Sequence, residues 1–570
     1  MGLFNESSKA EIEAIAAKSK KANPITEKSN RKINSIVAEL DAMSDVVMSY
    51  FKDSPAILIT DKDMLIDYVD KLLVEDIAGI DTETTGLDRI NDYVVGASLY
   101  YPGGVECYIP MKHKVPIFDT WYPNQLSYED VATQLKRIVD KKHKLIFANA
   151  DFDLSMIYKD FSVDLCPAFY YDVILAWRCI QEDEKDNTLK GLYNKYVLGG
   201  KGDPKKFSDF FTPEQFPYCN PNVAKLYAAN DAKITVDLFE FQRQYVDKSL
   251  GSDKYLDRIS DLIYQIEFPL VEICQKLHRT GIYFDSATSK VLIDRYHRKL
   301  DEAQSKLVQM IDDIIKNSDV FHTKKTVPFT SGKDFNPKSI LHMRFLIYDI
   351  LKRPVGRDGS KSADKNVLSE MNTPITNQIL EVRSISTLLS TFVDKLPNSV
   401  APDGRIHPTF KQIGASTGRF SSSDPNAQNI PAHATDIRHL FRATPGYVML
   451  SSDYSAQEPR ITAYVSQDPK MIKTFQEGKD IYANIASLSF GYPYEECLEF
   501  HPETGEYQPE GKKRRTEAKS VVLGRVFSDL AVKYICPDSR NPIYQTTISK
   551  FCELHYSQVF NRRLSSYRKW

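Results

Sequence analysis

The stretch from Ala56 to Ala150 combines short apolar runs with an amphipathic segment, and this combination restricts the fold more than any other feature. Four runs rich in Val, Ile and Tyr are typical of β-strands: IAGID, YVVGASLYY, VECYIPM and KLIFANA. The amphipathic segment Ser127–Lys142 predicts a helix, with Ser127 as N-cap and Asp130 completing a capping box. Strands followed by helices predict an α/β layer fold.

The size and composition of the chain predict several soluble domains. With 570 residues, about three or four domains are expected. The hydrophobic content of 42% is typical of globular proteins, and the net charge of -2 excludes no partner, because basic residues can lie on one face. The eight cysteines form no C-x-x-C pair, which favours free thiols in a reducing compartment. The N-terminal residues contain no apolar stretch for a signal peptide or membrane span, so we expect a cytoplasmic protein without a membrane partner.

Helical patterns lie on both sides of the α/β stretch. Residues 1–53 are charged and helix-prone, and they predict an N-terminal helical extension. Residues 250–315 predict long amphipathic helices, one of which ends at Gly281, and further helices run to Lys395. The polar span HPETGEYQPEGKKRR predicts an exposed hairpin or loop with a basic run.

Three short motifs place acidic or polar side chains at the edges of structured elements. Residues two apart in a strand point to the same side, so Asp81 and Glu83 aim two carboxylates at one spot. Their mutual repulsion favours a cation between them, although D-x-E alone often only caps a turn. The other two motifs are N-x-x-x-D and Y-x-x-x-D at helical spacing, and three such motifs together are much rarer by chance. They comprise Asn149 with Asp153, and Tyr227 with Asp231.

The chemistry of this set matches phosphodiester hydrolysis. That reaction uses two hard divalent ions held by oxygen ligands, which carboxylates supply. One ion converts water to hydroxide and the other stabilises the leaving oxygen. A tyrosine hydroxyl can orient the attacking water.

Residues 54–245 resemble the DEDD 3′–5′ exonucleases, in the subclass that has tyrosine in its third motif. The resemblance implies an RNase H-like fold and two Mg²⁺ ions, with Mn²⁺ as a possible substitute. It also implies that Leu87 wedges against the terminal base of the DNA and that Asn149 supports the second motif. The implied catalytic residues are the metal ligands Asp81, Glu83, Asp153 and Asp231, together with Tyr227 for the water.

The string GASTGRFSSSDPNAQNIP, residues 414–431, is rich in small and polar residues. Composition alone does not exclude an ordinary polar loop. The string resembles the T-G-R-x-S-S-x-x-P-N-x-Q-N-I-P signature of family A DNA polymerases. Arginine and amide donors can test base-pair shape in the minor groove without reading sequence. The DNA-binding residues implied by the resemblance are Arg419, Asn426, Gln428 and Asn429.

The segment YVMLSSDYSAQEPR predicts a strand that runs into Asp453. It resembles the family's motif D-Y-S-x-x-E-x-R. The resemblance implies that Asp453 is a catalytic ligand of both magnesium ions. It implies that Glu458 and Arg460 bind the nucleotide, with Glu458 filling the space that a ribose 2′-hydroxyl would need.

The segment RRTEAKSVVLGRVFSDLAVKY predicts a helix that carries cations on one stripe. Arg515 and Lys519 are four apart, so they face the same way. Taken alone, the basic run could equally be an ordinary charged helix face exposed to solvent. The segment resembles the nucleotide-binding helix of the same family, which implies that Arg515, Lys519 and Phe527 bind the incoming dNTP.

The resemblance covers residues 54–524 and divides the chain. It implies a thumb with connecting helices at 250–400, a partial palm with the start of the fingers at 401–524, and an unmatched tail at 525–570. No H-D-E motif follows Gly524, so we expect that the sequence is interrupted or truncated there. The missing palm and fingers would then come from a second polypeptide or from splicing.

These observations predict an α/β multidomain chain with an RNase H-like exonuclease, a helical thumb and an incomplete polymerase palm and fingers. The predicted function is template-directed DNA synthesis with 3′–5′ proofreading in DNA replication, on primer-template DNA and dNTPs. The absence of a 5′-nuclease resembles phage enzymes, which act in the cytoplasm of a bacterial host. Two alternative functions remain: a stand-alone exonuclease, and a DNA-binding fragment of a split polymerase. We expect this chain alone to shorten a primer without extending it.

Overall fold

The computed structural model describes residues 27–115, 120–248, 254–323, 326–356, 359–415 and 418–527. The backbone divides into two compact units, residues 1–448 and 449–570. The predicted α/β multidomain architecture is confirmed. No helix of the described residues combines the length and apolar character needed to cross a bilayer.

The first part of unit 1 is a six-stranded sheet flanked by helices. Its strands are β1 (Ile57–Leu58), β2 (Ile77–Thr84), β3 (Val94–Tyr100), β4 (Cys107–Pro110), β7 (Lys144–Phe147) and β8 (Phe169–Asp172), and a small hairpin is formed by β5 (Lys114–Val115) and β6 (Thr120–Trp121). The helices are α1 (Glu27–Tyr50), α2 (Lys62–Leu72), α3 (Tyr128–Asp140), α4 (Ala150–Phe161), α5 (Val173–Ile180), α6 (Leu189–Leu192) and α7 (Pro221–Val246). The strand order is β1-β4-β3-β2-β7-β8.

The central strand β2 pairs antiparallel with β3 and parallel with β7. All seven residues of β3 are buried, because the sheet is covered on both faces. The four predicted strands are therefore confirmed, while β1 and β8 were not predicted. The Ser127 hydroxyl accepts from the Asp130 N–H at 3.1 Å, as a helix cap does. In the predicted capping box the Asp130 carboxylate would accept from the Ser127 N–H, but here it accepts from the Ser127 hydroxyl at 2.6 Å.

Helix α1 covers residues of the predicted N-terminal extension. Its buried side chains include Leu40 and Val47, and Val47 belongs to the same apolar cluster as Tyr227 of α7. The Tyr50 hydroxyl donates to the Asp203 carbonyl at 2.6 Å. Helix α1 is thus an integral part of this region, whereas residues 1–26 lie outside the described residues.

The second part of unit 1 is mainly helical. Its helices are α8 (Lys254–Leu262), α9 (Phe268–Thr280), α10 (Ser286–Asn317), α11 (Asp319–Thr323), α12 (Ile340–Arg344), α13 (Lys365–Met371) and α14 (Pro374–Leu388). Helix α9 ends at Gly281 as predicted, with a φ of 58° that suits glycine. The Gln275 amide of α9 donates to the Asp151 carboxylate of α4 at 2.7 Å, and this bond joins the helical region to the sheet region.

Short strands and turns complete unit 1. They are β9 (Ile282–Phe284), β10 (Arg405–Ile406), β11 (Thr409–Lys411), β12 (Ser421–Ser423), the helix α15 (Thr435–Arg438) and β13 (Phe441–Arg442). Strand β9 lies between β10 and β13, and β11 forms a hairpin with β12.

Unit 2 contains four α-helices in its described residues: α16 (Gln457–Ser466), α17 (Pro469–Gln476), α18 (Ile481–Phe490) and α19 (Pro509–Phe527). A bridge between Phe500 and Tyr507 forms the predicted hairpin. The basic run that follows is helical rather than loop, because Pro509 begins α19 at a position where proline is favoured.

The strand predicted for YVMLSSD is wrong for the described residues, in which 447–454 have no strand pairing. The side chains of Val448 and Leu450 are 91% and 88% exposed. A strand requires a hydrogen-bonding neighbour, and no described segment pairs with this one. The predicted domain boundaries at 53, 245, 400 and 524 stay predictions.

Candidate functional site

Three predicted acids converge on one point at the sheet. Asp81 and Glu83 lie on β2 with side chains on the same side, and Asp231 lies on α7, which packs across that strand. Each offers an oxygen atom within 4.8 Å of the others. Gly79 allows this approach, because a Cβ atom there would lie 2.4 Å from the Ala232 carbonyl oxygen of α7. The packing of strand on helix therefore assembles the cluster.

The fourth predicted acid, Asp153, lies beside this group of three but not in it. It is buried on α4 and accepts from Thr82 of β2, from the backbone N–H at 3.1 Å and from the hydroxyl at 2.5 Å. These bonds join α4 to the strand that carries Asp81 and Glu83. The four acids thus lie on adjoining elements.

Burial dominates the electrostatics of the cluster. It raises the pKa of Asp81 to about 7, against the opposing effect of the Lys190 ammonium. Burial raises the pKa of Glu83 well above its ordinary value, and repulsion from Asp81 adds to this. The pKa of Asp153 is also raised by burial and then by Asp81, although the Thr82 bonds oppose the shift. A bound cation would favour the ionised forms of these acids.

Lys190 is a residue of the site that the sequence analysis missed. It lies on the short helix α6, is only 7% exposed, and forms an ion pair with Asp231. Burial lowers its pKa to about 8, while Asp81 and Glu83 oppose that shift. No sequence pattern predicts this, because a lysine in a polar helix is usually solvated.

Tyr227 lies one helical turn from Asp231 on α7 and is 4% exposed. Its ring is enclosed by Phe207, Phe210 and Phe211, with centroid distances of 5.9, 6.1 and 5.8 Å. Burial raises the pKa of its hydroxyl, and Glu83 and Asp81 add to that effect. The phenol therefore remains a neutral hydrogen-bonding group next to the acids.

Asn149 forms the turn from β7 into α4. Its φ is 70°, a left-handed conformation that asparagine tolerates better than most residues. The buried Asp172 carboxylate holds this turn by accepting from the N–H groups of Asn149, at 3.2 Å, and Ala150, at 2.8 Å. Asp172 also caps α5, so one unpredicted acid fixes the starts of two helices.

Leu87 follows β2 in a loop, and its side chain is 83% exposed. The loop is tied by Asp92, which accepts from the Thr85 hydroxyl at 2.8 Å and from the Asp88 N–H at 2.7 Å. A large apolar side chain is thereby held in solvent near the strand that carries the acids.

The predicted DNA-binding residues lie on and after the β11–β12 hairpin of unit 1. Asn426 uses its side-chain oxygen within the turn, where it accepts from the N–H groups of Gln428 and Asn429 at 3.1 and 3.2 Å. The side chains of Arg419, Gln428 and Asn429 are exposed. The turn thus presents donor groups on the surface.

In unit 2, the predicted cations Arg515 and Lys519 flank the buried Tyr482 ring. Arg515 lies 5.3 Å and Lys519 5.6 Å from the ring centroid. Arg515 also donates twice to the Asp480 carboxylate, at 2.8 and 2.9 Å. Both cations therefore lie on one side of α19, as the spacing predicts. The Phe527 side chain lies outside what the structure describes.

The remaining predicted residues of unit 2 lie at the start of α16. Asp453 is exposed in the preceding segment, and Glu458 lies in the first turn of the helix. Arg460 donates to the Ser455 carbonyl at 2.9 Å and lies 4.5 Å from the centroid of the Phe475 ring. The structure does not bring Asp453 into a metal-type cluster among the described residues.

The donor set of the Asp81, Glu83 and Asp231 group fits a hard divalent cation. All three ligands are carboxylates, and they are buried or half-buried. Mg²⁺ and Mn²⁺ prefer such oxygen donors, whereas zinc sites in proteins use mainly histidine and cysteine.

Two family models match the chain. Residues 56–246 match the 3′–5′ exonuclease model, and residues 301–531 match the DNA polymerase family A model. The second match continues beyond Gly524, where the sequence analysis placed the end of the resemblance. It therefore includes Phe527, whose role in nucleotide binding stays a prediction.

Curated relatives and a solved structure agree with these models. The chain is 27% identical over 501 residues to DNA polymerase I of Pseudomonas aeruginosa, covering 83% of the chain and 49% of that protein. It is 31% identical over 491 residues to DNA polymerase I of Chloroflexus aurantiacus, covering 83% and 46%. The chain thus spans about half the length of these relatives.

The fold is similar to the POL domain of Pol1 from M. smegmatis, solved in complex with DNA primer-template and dNTP. The TM-score is 0.66 at 20% identity, covering 88% of this chain and 77% of that one. At this identity the similarity shows the fold alone. From the two matched domains and these relatives, the chain belongs to the family A DNA polymerases that carry a 3′–5′ exonuclease domain.

Proposed function

We propose that this chain takes part in template-directed DNA synthesis and removes nucleotides from the 3′ end of the DNA strand as a proofreading step in replication. The convergence of Asp81, Glu83 and Asp231 within 4.8 Å carries the proposal. A buried group of carboxylates is costly unless a cation balances it. The family membership supports nucleic acid as the substrate.

In the exonuclease site, we assign the four acids to the binding of divalent ions. Bound ions supply a hydroxide nucleophile and stabilise the leaving oxygen. Tyr227 is suited to orient the attacking water, because its ring is fixed by the surrounding phenylalanines and its hydroxyl stays protonated. The exposed Leu87 is suited to contact the terminal base, and Asn149 shapes the turn that leads to Asp153.

In the polymerase segment, we assign Arg515 and Lys519 to the triphosphate of a dNTP. Two cations on one side of a helix match the charge of that group. We assign Phe527 and Arg460 to the same nucleotide, Glu458 to discrimination against ribose, and Asp453 to a catalytic metal ion. Here Mg²⁺ is favoured over Mn²⁺ by availability rather than by the ligands.

The exposed Arg419, Gln428 and Asn429, with the turn residue Asn426, are assigned to primer-template DNA. Arginine and amide groups can donate to the acceptors that every base pair offers in the minor groove. The electrostatic attraction of the Arg419 cation to the DNA phosphates should weaken as salt concentration rises. A second polypeptide and a cytoplasmic location stay predictions.

A primer-template assay tests the proposal. The purified chain is incubated with Mg²⁺ and a 5′-labelled primer annealed to a longer template, with and without dNTPs. We expect the primer to shorten from its 3′ end without dNTPs, and to remain intact in EDTA. Extension with dNTPs would show that this chain also polymerises, and its absence would agree with the prediction of shortening alone. Salt-sensitive binding with neither reaction would favour the DNA-binding fragment and contradict the exonuclease assignment.

Replacing Arg515 by alanine is expected to weaken dNTP binding about 10- to 100-fold, because a charge-assisted contact to phosphate contributes about 1.5–3 kcal/mol. Fluorescence anisotropy of a labelled dNTP with the full chain measures the change. Lys513→Ala is the matched control, since Lys513 is an exposed cation on the same helix. Equal loss in both variants would indicate a diffuse electrostatic effect of α19 and would contradict the specific role of Arg515.

A further inference from the structure

Lys190 places a positive charge inside the group of acids that we assign to divalent ions. Its ammonium contacts the Asp231 carboxylate and lies 4.9 Å from the centroid of the Tyr227 ring. The side chains of Lys190 and Asp231 are only 8% and 11% exposed. The contact is therefore a buried ion pair rather than a surface pair of little consequence.

Local structure fixes the lysine in this place. The Thr188 hydroxyl caps α6 by accepting from the Gly191 N–H at 3.2 Å. A π-helical turn, Tyr193–Val197, continues directly from α6. Its Tyr196 ring packs on Trp177 at a centroid distance of 4.4 Å. The backbone that carries Lys190 is thus anchored in the core.

The cluster needs such a charge when no metal ion is bound. Asp81 and Glu83 lie on one strand with Asp231 opposite them, and an uncompensated group of this kind is unfavourable in a buried setting. The Lys190 ammonium also acts electrostatically on Asp81 and Glu83, although its direct contact is with Asp231. One lysine therefore balances part of the charge of three acids.

We propose that Lys190 is an internal counter-ion of the exonuclease site, which positions Asp231 in the metal-free protein and competes with a divalent ion for that carboxylate. This inference rests on the proposed function, because it takes the acids to be the ion-binding groups. Lys190 acts through Asp231 and Tyr227 and is a positioning residue.

Competition between the Lys190 ammonium and the ion predicts that ion affinity rises when the ammonium is removed, whereas damage to the structure would lower that affinity. A divalent ion that binds Asp231 must displace the ammonium or lie beside it, and like charges repel strongly at such short range. Removal of the ammonium should therefore tighten ion binding. A variant that only disturbed the packing of the site would bind the ion more weakly.

Electron paramagnetic resonance of free Mn²⁺, in titrations of the full chain, tests the proposal. The Mn²⁺ binding that is lost in Asp81→Asn defines the exonuclease site. The variants are Lys190→Met and Lys190→Gln, which remove the charge, and Lys190→Arg, which keeps it. Lys195→Met is the control, because Lys195 is a nearby lysine whose side chain is 56% exposed and whose ion pair is with Glu184.

We expect Lys190→Met and Lys190→Gln to bind Mn²⁺ at this site at least ~10-fold more tightly than the wild type. Lys190→Arg and Lys195→Met should stay within about 3-fold of the wild type. Mn²⁺ should raise the Tm of the two neutral variants more than it raises that of the wild type, because the ion no longer competes with an ammonium group.

Unchanged or weaker Mn²⁺ affinity in a folded neutral variant would overturn the role of Lys190, and the glutamine variant keeps the test decisive if the methionine variant does not fold. That result would leave the ion site itself intact. Absence of any Mn²⁺ binding that depends on Asp81 would instead remove the proposed exonuclease function.

Discussion

Replacing Asp153 by asparagine is expected to lower the rate of 3′ nucleotide removal about 10³-fold and to stabilise the metal-free protein at the same time. Loss of an ion-binding carboxylate removes about 4 kcal/mol of transition-state stabilisation. Asparagine keeps the shape of the side chain, and its oxygen can still accept from Thr82. The gain in stability follows because burial disfavours the ionised acid that the variant lacks.

The stability gain of Asp153→Asn should depend on pH in a defined direction. The pKa of Asp153 is raised in the folded protein above its ordinary value of 3.8. The folded state therefore binds more protons than the unfolded state above pH 4, and the stability contribution of Asp153 falls as pH rises. Relative to the wild type, the variant should therefore gain stability as the pH rises above about 4 in EDTA.

Urea unfolding in EDTA and the primer-shortening rate in Mg²⁺ measure the two effects. Asp67→Asn is the control, because Asp67 is an exposed acid on α2 that pairs with Lys71. It should change neither quantity beyond about 0.5 kcal/mol or about 2-fold. A variant at Asp153 that keeps the wild-type rate would exclude this acid from the site, and a loss of metal-free stability would contradict the electrostatic account.

The acids of the exonuclease site could be predicted because the relevant geometry is local. Asp81 and Glu83 share a side of one strand, and Tyr227 and Asp231 share a face of one helix, so the spacing in the sequence determines each pair. The family resemblance then brought the pairs together. The structure adds the convergence of Asp81, Glu83 and Asp231 and places Asp153 beside them.

Lys190 and Asp172 could not be predicted, because their roles arise from tertiary contacts. Lys190 reaches an acid 41 positions away in the chain, and Asp172 accepts from a turn 22 and 23 positions earlier. Nothing in the sequence around Lys190 distinguishes it from a solvated charge, and the position of Asp172 before the apolar run VILAW indicates a helix cap but not its bonds to the earlier turn. The same limit explains the strand that was wrongly predicted for YVMLSSD, because a short apolar run cannot supply its own pairing partner.

The second large effect is expected from Gly79→Ala, which should destabilise the protein by about 3 kcal/mol and lower the rate of nucleotide removal about 10²-fold. The new Cβ would lie 2.4 Å from the Ala232 carbonyl oxygen and 2.8 Å from the Val236 Cγ2 atom. Overpacking of this kind costs about 1–3 kcal/mol, and more where backbone must move. Helix α7 would be displaced from β2, and a shift of about 1 Å at a catalytic group can cost about 10²-fold in rate.

A double variant locates the source of the strain. Val236→Ala removes the side-chain contact but leaves the Ala232 carbonyl, so Gly79→Ala with Val236→Ala should recover less than half of the lost stability. Gly104→Ala is the control, because the three atoms nearest to its Cβ would all belong to the Tyr101 ring, a side chain that can rotate away, rather than to backbone. Full recovery in the double variant would show that a side-chain clash governs the effect.

Urea unfolding and primer shortening, measured on the same preparations, connect Gly79 to the site. If the strand and the helix are held together chiefly to bring Asp81 and Glu83 to Asp231, Gly79→Ala should also weaken Mn²⁺ binding at that group. A variant that loses stability but keeps both its Mn²⁺ affinity and its rate would show that the close approach of β2 and α7 serves the fold alone. Loss of stability, Mn²⁺ affinity and rate together would show that the absence of a side chain at Gly79 allows acids of β2 and α7 to bind the same ion.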